Sequence, residues 1–199
     1  MTFQDWVPPS LRSASSVLSF SPGAVVFLQG SRAAGFYEVL SGRVRMERPT
    51  VTGKQVTLYV ARAGDFLAEA SLFSDVNHCD ATALVQSSVR VYPKQDVLAE
   101  FERSGEFAKA FTAMVSRSLI AVRERNERLM LHSARDRIRH FLALNASGED
   151  QSVVINGPIK DLASGLGLTH EVLYRSLAKL VADGEIERND NAIQIINLK

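Results

Sequence analysis

One cysteine, Cys79, is all the thiol that this chain of 199 residues contains. That excludes an internal disulfide and an iron–sulfur cluster held by four cysteines of one chain. A reducing cytoplasm is the compartment such usage fits. Long apolar runs are lacking too. Nothing approaches the ~20 residues that span a bilayer, and the opening MTFQDWVPPSLRS has no basic region followed by an apolar one. A cytoplasmic protein with no membrane partner is therefore expected. Excess charge of either sign is also absent, with 23 basic and 22 acidic side chains and a formal net charge of +1. Residues 1–105 carry ten of each, residues 106–132 five basic and three acidic, and residues 134–199 eight basic and nine acidic. A nucleic-acid-binding face would have to come from the placement of charge, not its amount. With 46% hydrophobic and 23% charged residues, the composition is that of an ordinary globular protein. The length suffices for one large or two small cores.

Three regions follow one another, and no internal repeat or low-complexity tract interrupts them. From residue 18 to about 93, strand-sized runs (24–28, 36–40, 44–47, 56–60, 81–86 and 89–92) alternate with turns at Pro22-Gly23, Gly30, Gly35, Ser41-Gly42, Gly53 and Gly64-Asp65. This spacing predicts a β-barrel or jelly roll, with a short helix within 65–73. Residues 106–132 hold no proline or glycine. Phe107, Phe111, Met114, Ser118, Ala121, Arg125 and Leu129 recur there every three or four positions. They predict one face of a helix about 40 Å long at ~1.5 Å per residue. A helix that outruns a small barrel must bury the rest of its face elsewhere, so these seven residues are expected to line a homodimer seam. Ser133, with Asp136 three residues on, marks the cap of a new helix. The fold class is thus α+β: a sensor-like β domain over 1–105, a dimerisation helix over 106–132, and a third domain over 133–199.

That third domain contains PIKDLASGLGLTHEVLYRSLAKLVADGEIER. Pro158 suits the first position of a helix whose apolar side is Leu162, Ala163 and Leu166. Gly165 and Gly167 permit a tight turn, and Thr169 is a natural cap for the next helix. Leu173, Leu177, Leu180 and Val181 follow the i, i+4, i+7, i+8 rule and face inward. His170, Glu171, Tyr174 and Arg175 fall on the other side. Residues 186–188 and 192–196, around Asn189-Asp190-Asn191, read as a β-hairpin wing. This is a winged helix-turn-helix, which reads base edges with the start of its second helix. Glu171 can accept from a cytosine amine, and Arg175 can give two bonds to a guanine. The rival is a solvated i, i+4 ion pair between the two.

SGRVRM, GDFLAEASLF, ATALV and LGLTHEVLYRSLAKL, in that order, resemble the CRP/FNR family of bacterial transcription regulators over nearly the whole chain. The resemblance implies a cyclic-nucleotide-binding-like sensor, a dimerisation helix, double-stranded promoter DNA as ligand and RNA polymerase as partner. It also implies allostery between the sensor and the two recognition helices. The family's cAMP-binding members clamp the cyclic phosphate with an Arg-Ser pair where this chain has Cys79 and Asp80. Loss of the arginine removes charge-assisted bonds, and an aspartate repels phosphate. Glu69 remains at the position that meets the ribose hydroxyl. Ala68 replaces the preceding glycine, and Val122 and Arg123 stand where the adenine is met. An effector other than cAMP is expected.

His78 and Cys79 together would suit copper or zinc, and an accessible thiolate would suit redox sensing. Adjacent strand residues point to opposite faces, however, so they chelate together only if the chain turns there. The alternatives are a buried cysteine beside a surface histidine, a haem or gas sensor using His78 or His132, and a regulator whose ligand site is vestigial. A barrel-fold metal enzyme would need several inward histidines, and the β region has one. A regulatory module that never meets DNA would leave Glu171 and Arg175 without a task.

Overall fold

A computed structural model describes residues 6–155, 157–189 and 191–198. The chain divides into two compact units, Met1–Arg117 and Ser118–Lys199.

In the first unit the alternating segments form two antiparallel four-stranded sheets. One has the order β1 (Ser16–Phe20), β8 (Ser87–Pro93), β3 (Gly35–Ser41), β6 (Phe66–Leu67). The other has the order β2 (Val25–Phe27), β7 (Asp80–Ala83), β4 (Arg43–Pro49), β5 (Gln55–Arg62). Neither sheet closes on itself, so the expected barrel is a jelly-roll-like pair of open sheets. The SGRVRM turn depends on Gly42, whose φ is +86°. A Cβ there would lie 2.6 Å from Ser87 Cα.

Strand β3 is buried on both faces, which is why it reads as a continuous apolar run. Tyr37 and Val39 face a core with Phe27, Val44, Leu67, Cys79 and Val89. Phe36 points the other way, as strand alternation demands, into a second core with Leu11, Tyr92, Val97, Phe107, Phe111 and Met114. Helices α1 (Pro9–Ala14), α2 (Lys94–Arg103) and the start of α3 (Gly105–Met130) supply residues to this second core. Phe36 stacks on Tyr92 at 4.8 Å and meets Phe111 edge-on at 5.7 Å. Glu38, on the same strand face as Phe36, is buried and accepts from Tyr92 at 2.6 Å and Arg90 at 3.1 Å. Burial and this carboxylate push the Tyr92 hydroxyl up to about 12.

This second core corrects the reading of α3. Phe107, Phe111 and Met114 are already buried within one chain, so they have no surface left to give a dimer seam. Ser118 and Ala121 are exposed but small and offer little area, and Arg125 is half-buried. The exposed apolar residues of α3 in the second unit are Leu119, Ile120, Val122, Leu129 and Met130, with Leu119 at 48% and Val122 at 63%. Leu119, Val122, Asn126 and Leu129 are spaced three, four and three apart. Leu129 was already on the expected face, and the other three each lie one residue on from Ser118, Ala121 and Arg125.

The second unit continues with α4 (Ala134–Asn145), β9 (Ser152–Val154), α5 (Ile159–Gly165), α6 (His170–Ala182), β10 (Ile186–Arg188) and β11 (Ala192–Ile195). Ser133 caps α4 by accepting from the Asp136 amide at 3.0 Å. Pro158 precedes α5 as its cap, one residue earlier than expected, and no proline N–H is needed at either place. The core joins Ile138 and Leu142 of α4 to Ala163, Leu173, Leu177, Leu180, Ile186 and Ile193. The wing sheet has the order β10-β11-β9, so β9 is its third strand. Asp190, expected in the wing turn, lies outside the described residues.

Candidate nucleic-acid interface and effector site

Helix α6 begins at a well-formed cap. Thr169 has extended backbone (φ −74°, ψ 155°), and its hydroxyl accepts from the Val172 amide at 3.2 Å. Leu173, Leu177 and Leu180 bury the inner face. The period of the helix then leaves His170, Glu171, Tyr174 and Arg175 exposed on the outer one. Among the described residues neither Glu171 nor Arg175 makes an ion pair, so the rival reading of a mutual surface pair is absent from the structure. Both heads are open to solvent within the first two turns of the helix. The His170 and Tyr174 rings touch, with centroids 4.6 Å apart. Arg188 of β10 lies over the Tyr174 ring, 5.0 Å from its centroid.

What holds this helix was not evident from the sequence. Arg137 of α4 donates to Leu131 O at 2.9 Å and Leu129 O at 3.4 Å, near the end of α3. It also donates to Leu166 O at 3.4 Å and Gly167 O at 3.2 Å, in the turn between α5 and α6. Gly167 has φ +64°, and a Cβ there would sit 2.6 Å from Leu129 Cδ2. Gly165, by contrast, is an ordinary helical residue. On the opposite face of α4, Arg135 and Arg139, about one turn apart, converge on the buried Glu185. Arg139 gives it two bonds of 2.7 Å and Arg135 one of 2.9 Å. Arg135 also pairs with Asp183 at the end of α6. The two Arg139 bonds, with Arg135 beside them, hold the Glu185 carboxyl below the usual range. The i, i+4 spacing of the two arginines was a usable signal for this site.

In the first unit, Ala68 takes the left-handed conformation (φ 60°, ψ 15°), a strain that glycine would not feel. Glu69 follows in a single 3₁₀ turn, Glu69–Ser71. Its Oε2 is buried with no hydrogen-bond partner, and desolvation pushes its carboxyl up. The charge of Glu69 also bears on the Cys79 thiol, which places the two near each other. Asp80 is engaged: its Oδ1 accepts from the Gln29 amide at 2.7 Å. Val122 and Arg123 are exposed on α3 in the second unit.

The His78–Cys79 metal pair is not formed. The chain bends at both residues just before β7, yet Cys79 is buried in the sheet core while His78 is exposed, so the two side chains lie in different environments. Among the described residues no group of three histidine, cysteine or acidic side chains is arranged to hold a metal ion. Burial raises the thiol of Cys79, the reverse of what an activated thiolate requires.

Residues 17–104 match the family described as the cyclic nucleotide-binding domain. Transcriptional regulator SdrP of Thermus thermophilus is 27% identical over 192 residues, which span 92% of this chain and 90% of that protein. The Cyclic AMP receptor protein of the same organism is 24% identical over 177 residues, spanning 88% and 82%. Among solved structures, FixK2 from Bradyrhizobium japonicum has the same fold, with a TM-score of 0.69 at 20% identity over 92% of this chain and 93% of that one.

The arginine clamp on Glu185 has a measurable consequence. Glu185→Gln leaves two arginines facing a neutral amide and should destabilise the protein by about 3 kcal/mol in urea unfolding. Because the folded carboxyl titrates below its unfolded value, its contribution is whole above roughly pH 4.3 and is lost as pH falls through the folded pKa. The substituted protein should therefore show a shallower loss of stability on the acid side. Equal acid limbs for both proteins would show that Glu185 is not the linked group.

Proposed function

We propose that this chain is a transcriptional regulator of the CRP/FNR type, built on the cyclic nucleotide-binding domain matched by residues 17–104, and that it acts as a homodimer on near-palindromic promoter DNA, under the control of an effector other than cAMP. RNA polymerase is its partner at the promoter, the cytoplasm its compartment, and no catalytic step is involved. No described helix is long and apolar enough to cross a membrane. The observation that carries the reading is the capped α6, with Glu171 and Arg175 exposed and unpaired on its outer face.

Dimerisation runs along Leu119, Val122, Asn126 and Leu129 of α3, which repeat at a/d spacing. Asn126 at an a position fixes a parallel, in-register pairing, at some cost in stability. Two recognition helices then fall about one DNA turn apart, ~34 Å. On each half-site, Glu171 and Arg175 read a G·C-containing core of TGA type. His170 reaches less far than the arginine found there in cAMP-binding relatives, so the outer base is read differently.

The sensor holds its effector at Glu69. A buried carboxyl oxygen without a partner among the described residues is a standing acceptor for a ligand that brings a donor. This supports a working ligand site over a vestigial one. A cyclic phosphate has no arginine to receive it at Cys79 and Asp80.

Three outcomes follow. Arg175→Ala should cost roughly 1–3 kcal/mol per half-site and relax selection at one base pair. Site selection with both proteins at matched salt decides this, and identical motifs would remove Arg175 as a reader. Leu119→Glu should sediment as a monomer at micromolar concentration where the wild type is a dimer, because a charge at the seam would be buried. A dimeric Leu119→Glu protein would place the seam elsewhere. Calorimetry with cAMP should show no micromolar binding, and binding that tightens DNA affinity would overturn the choice of effector.

A further inference from the structure

Arg188 of the wing was not among the expected DNA contacts, and its surroundings are unusual. Its guanidinium carbon lies 5.0 Å from the centroid of the Tyr174 ring. Tyr174 in turn touches the ring of His170, at 4.6 Å. The three side chains are exposed and run from the first residue of α6 to the last residue of β10. Arg188 has no acidic partner among the described residues. The other arginines at the end of the helix-turn-helix, Arg135 and Arg139, are tied to Asp183 and Glu185.

A guanidinium over a ring uses its flat face for the contact and keeps its N–H donors in the plane, pointing outward. Those donors match the oxygens of a phosphate. A wing arginine free in solvent would lose rotamer entropy on binding, whereas one already laid on a ring loses less. We infer that Arg188, held on Tyr174, is a phosphate-binding residue that clamps the DNA backbone beside the groove entered by α6. Tyr174 is then a positioning residue, keeping Arg188 at a fixed offset from the base-reading pair Glu171 and Arg175. The inference rests on the DNA-binding reading above but assigns a different task, since a phosphate contact carries no sequence information.

The test uses the full-length protein and two labelled duplexes of about three helical turns. One carries the TGA-type palindrome and the other is of mixed sequence. Affinity is measured by fluorescence anisotropy across a salt series. Arg188→Gln should weaken binding to both duplexes alike and lower the salt slope by about one per subunit. That corresponds to a loss of about eightfold per contact between 1 M and 0.1 M salt. Arg188→Lys should keep the slope. Tyr174→Leu should weaken the wild type more than it weakens Arg188→Gln, because the ring acts through the arginine. Unchanged melting temperatures would separate these effects from folding.

An unchanged salt slope in Arg188→Gln overturns the inference. So does an equal effect of Tyr174→Leu in both backgrounds. In either case, palindrome-specific binding by the wild type would leave the DNA-binding reading standing. A wild type that binds neither duplex would overturn both.

Discussion

One guanidinium, that of Arg137, closes two helix ends at once. The last carbonyls of a helix have no partner within it and carry its negative pole, so each end calls for a donor or a cation. Arg137 donates to two carbonyls near the end of α3 and to two just past α5. A lysine, with a compact charge and no planar fork, would not span both sets. The turn that launches α6 is therefore referenced to the end of α3, and Gly167 has to be bare for the fit to exist. Arg135 and Arg139, on the other side of α4, fasten the far end of α6 and the start of the wing through Asp183 and Glu185. The recognition helix is thus gripped before its first residue and after its last. A movement of the end of α3 within this unit would be passed to the turn as a displacement of four carbonyl bonds.

The parts that were legible in the sequence are those governed by local rules. The caps at Ser133 and Thr169 and the leucines at 173, 177 and 180 depend on spacings of three and four, and all formed as expected. The sensor strands were legible as elements, but β3 shows why their packing was not. An apolar run does not say that one face meets a sheet and the other meets helices. The same ambiguity misassigned α3. Phe107, Phe111 and Met114 are its most apolar residues, and periodicity alone cannot tell a helix face that meets its own domain from one that meets another chain. The nearest aromatic core claims them. Glu185 and Arg137 escaped notice because their partners lie up to 50 residues away in sequence. His78 and Cys79 attracted notice because they are adjacent, but adjacency does not say that one side chain enters the core and the other faces solvent.

Two carboxylates of this protein mark the difference between a scaffold and a site. Glu185 is buried but surrounded by donors, and its charge is stabilised. Glu69 has one buried oxygen with no donor among the described residues, and burial penalises its charge. Folding alone gives no reason to keep the second arrangement, since an apolar residue of similar size would avoid the desolvation. A ligand that brings a donor removes the penalty. Ala68 beside it holds a left-handed turn, a strain set against the burial of its methyl group in the sheet core.

Net charge completes the picture of how such a protein finds its DNA. The net charge is only +1, and Arg135 and Arg139 are paired with Asp136, Asp183 and Glu185, so these two arginines are not free to displace counterions from a DNA backbone. Non-specific affinity grows with the number of neutralised phosphates, so a low net charge argues for a modest background. Selectivity is the ratio of specific to non-specific binding, so a weak background helps a regulator that must ignore most of a genome. The same weakness makes a single half-site a poor ligand. Affinity has to be recovered by linking two readers, which turns the second encounter into an intramolecular one. The seam proposed for α3 and the base-reading pair proposed for α6 would in this sense be one device: a low charge that sharpens discrimination is tolerable where two recognition helices are presented together.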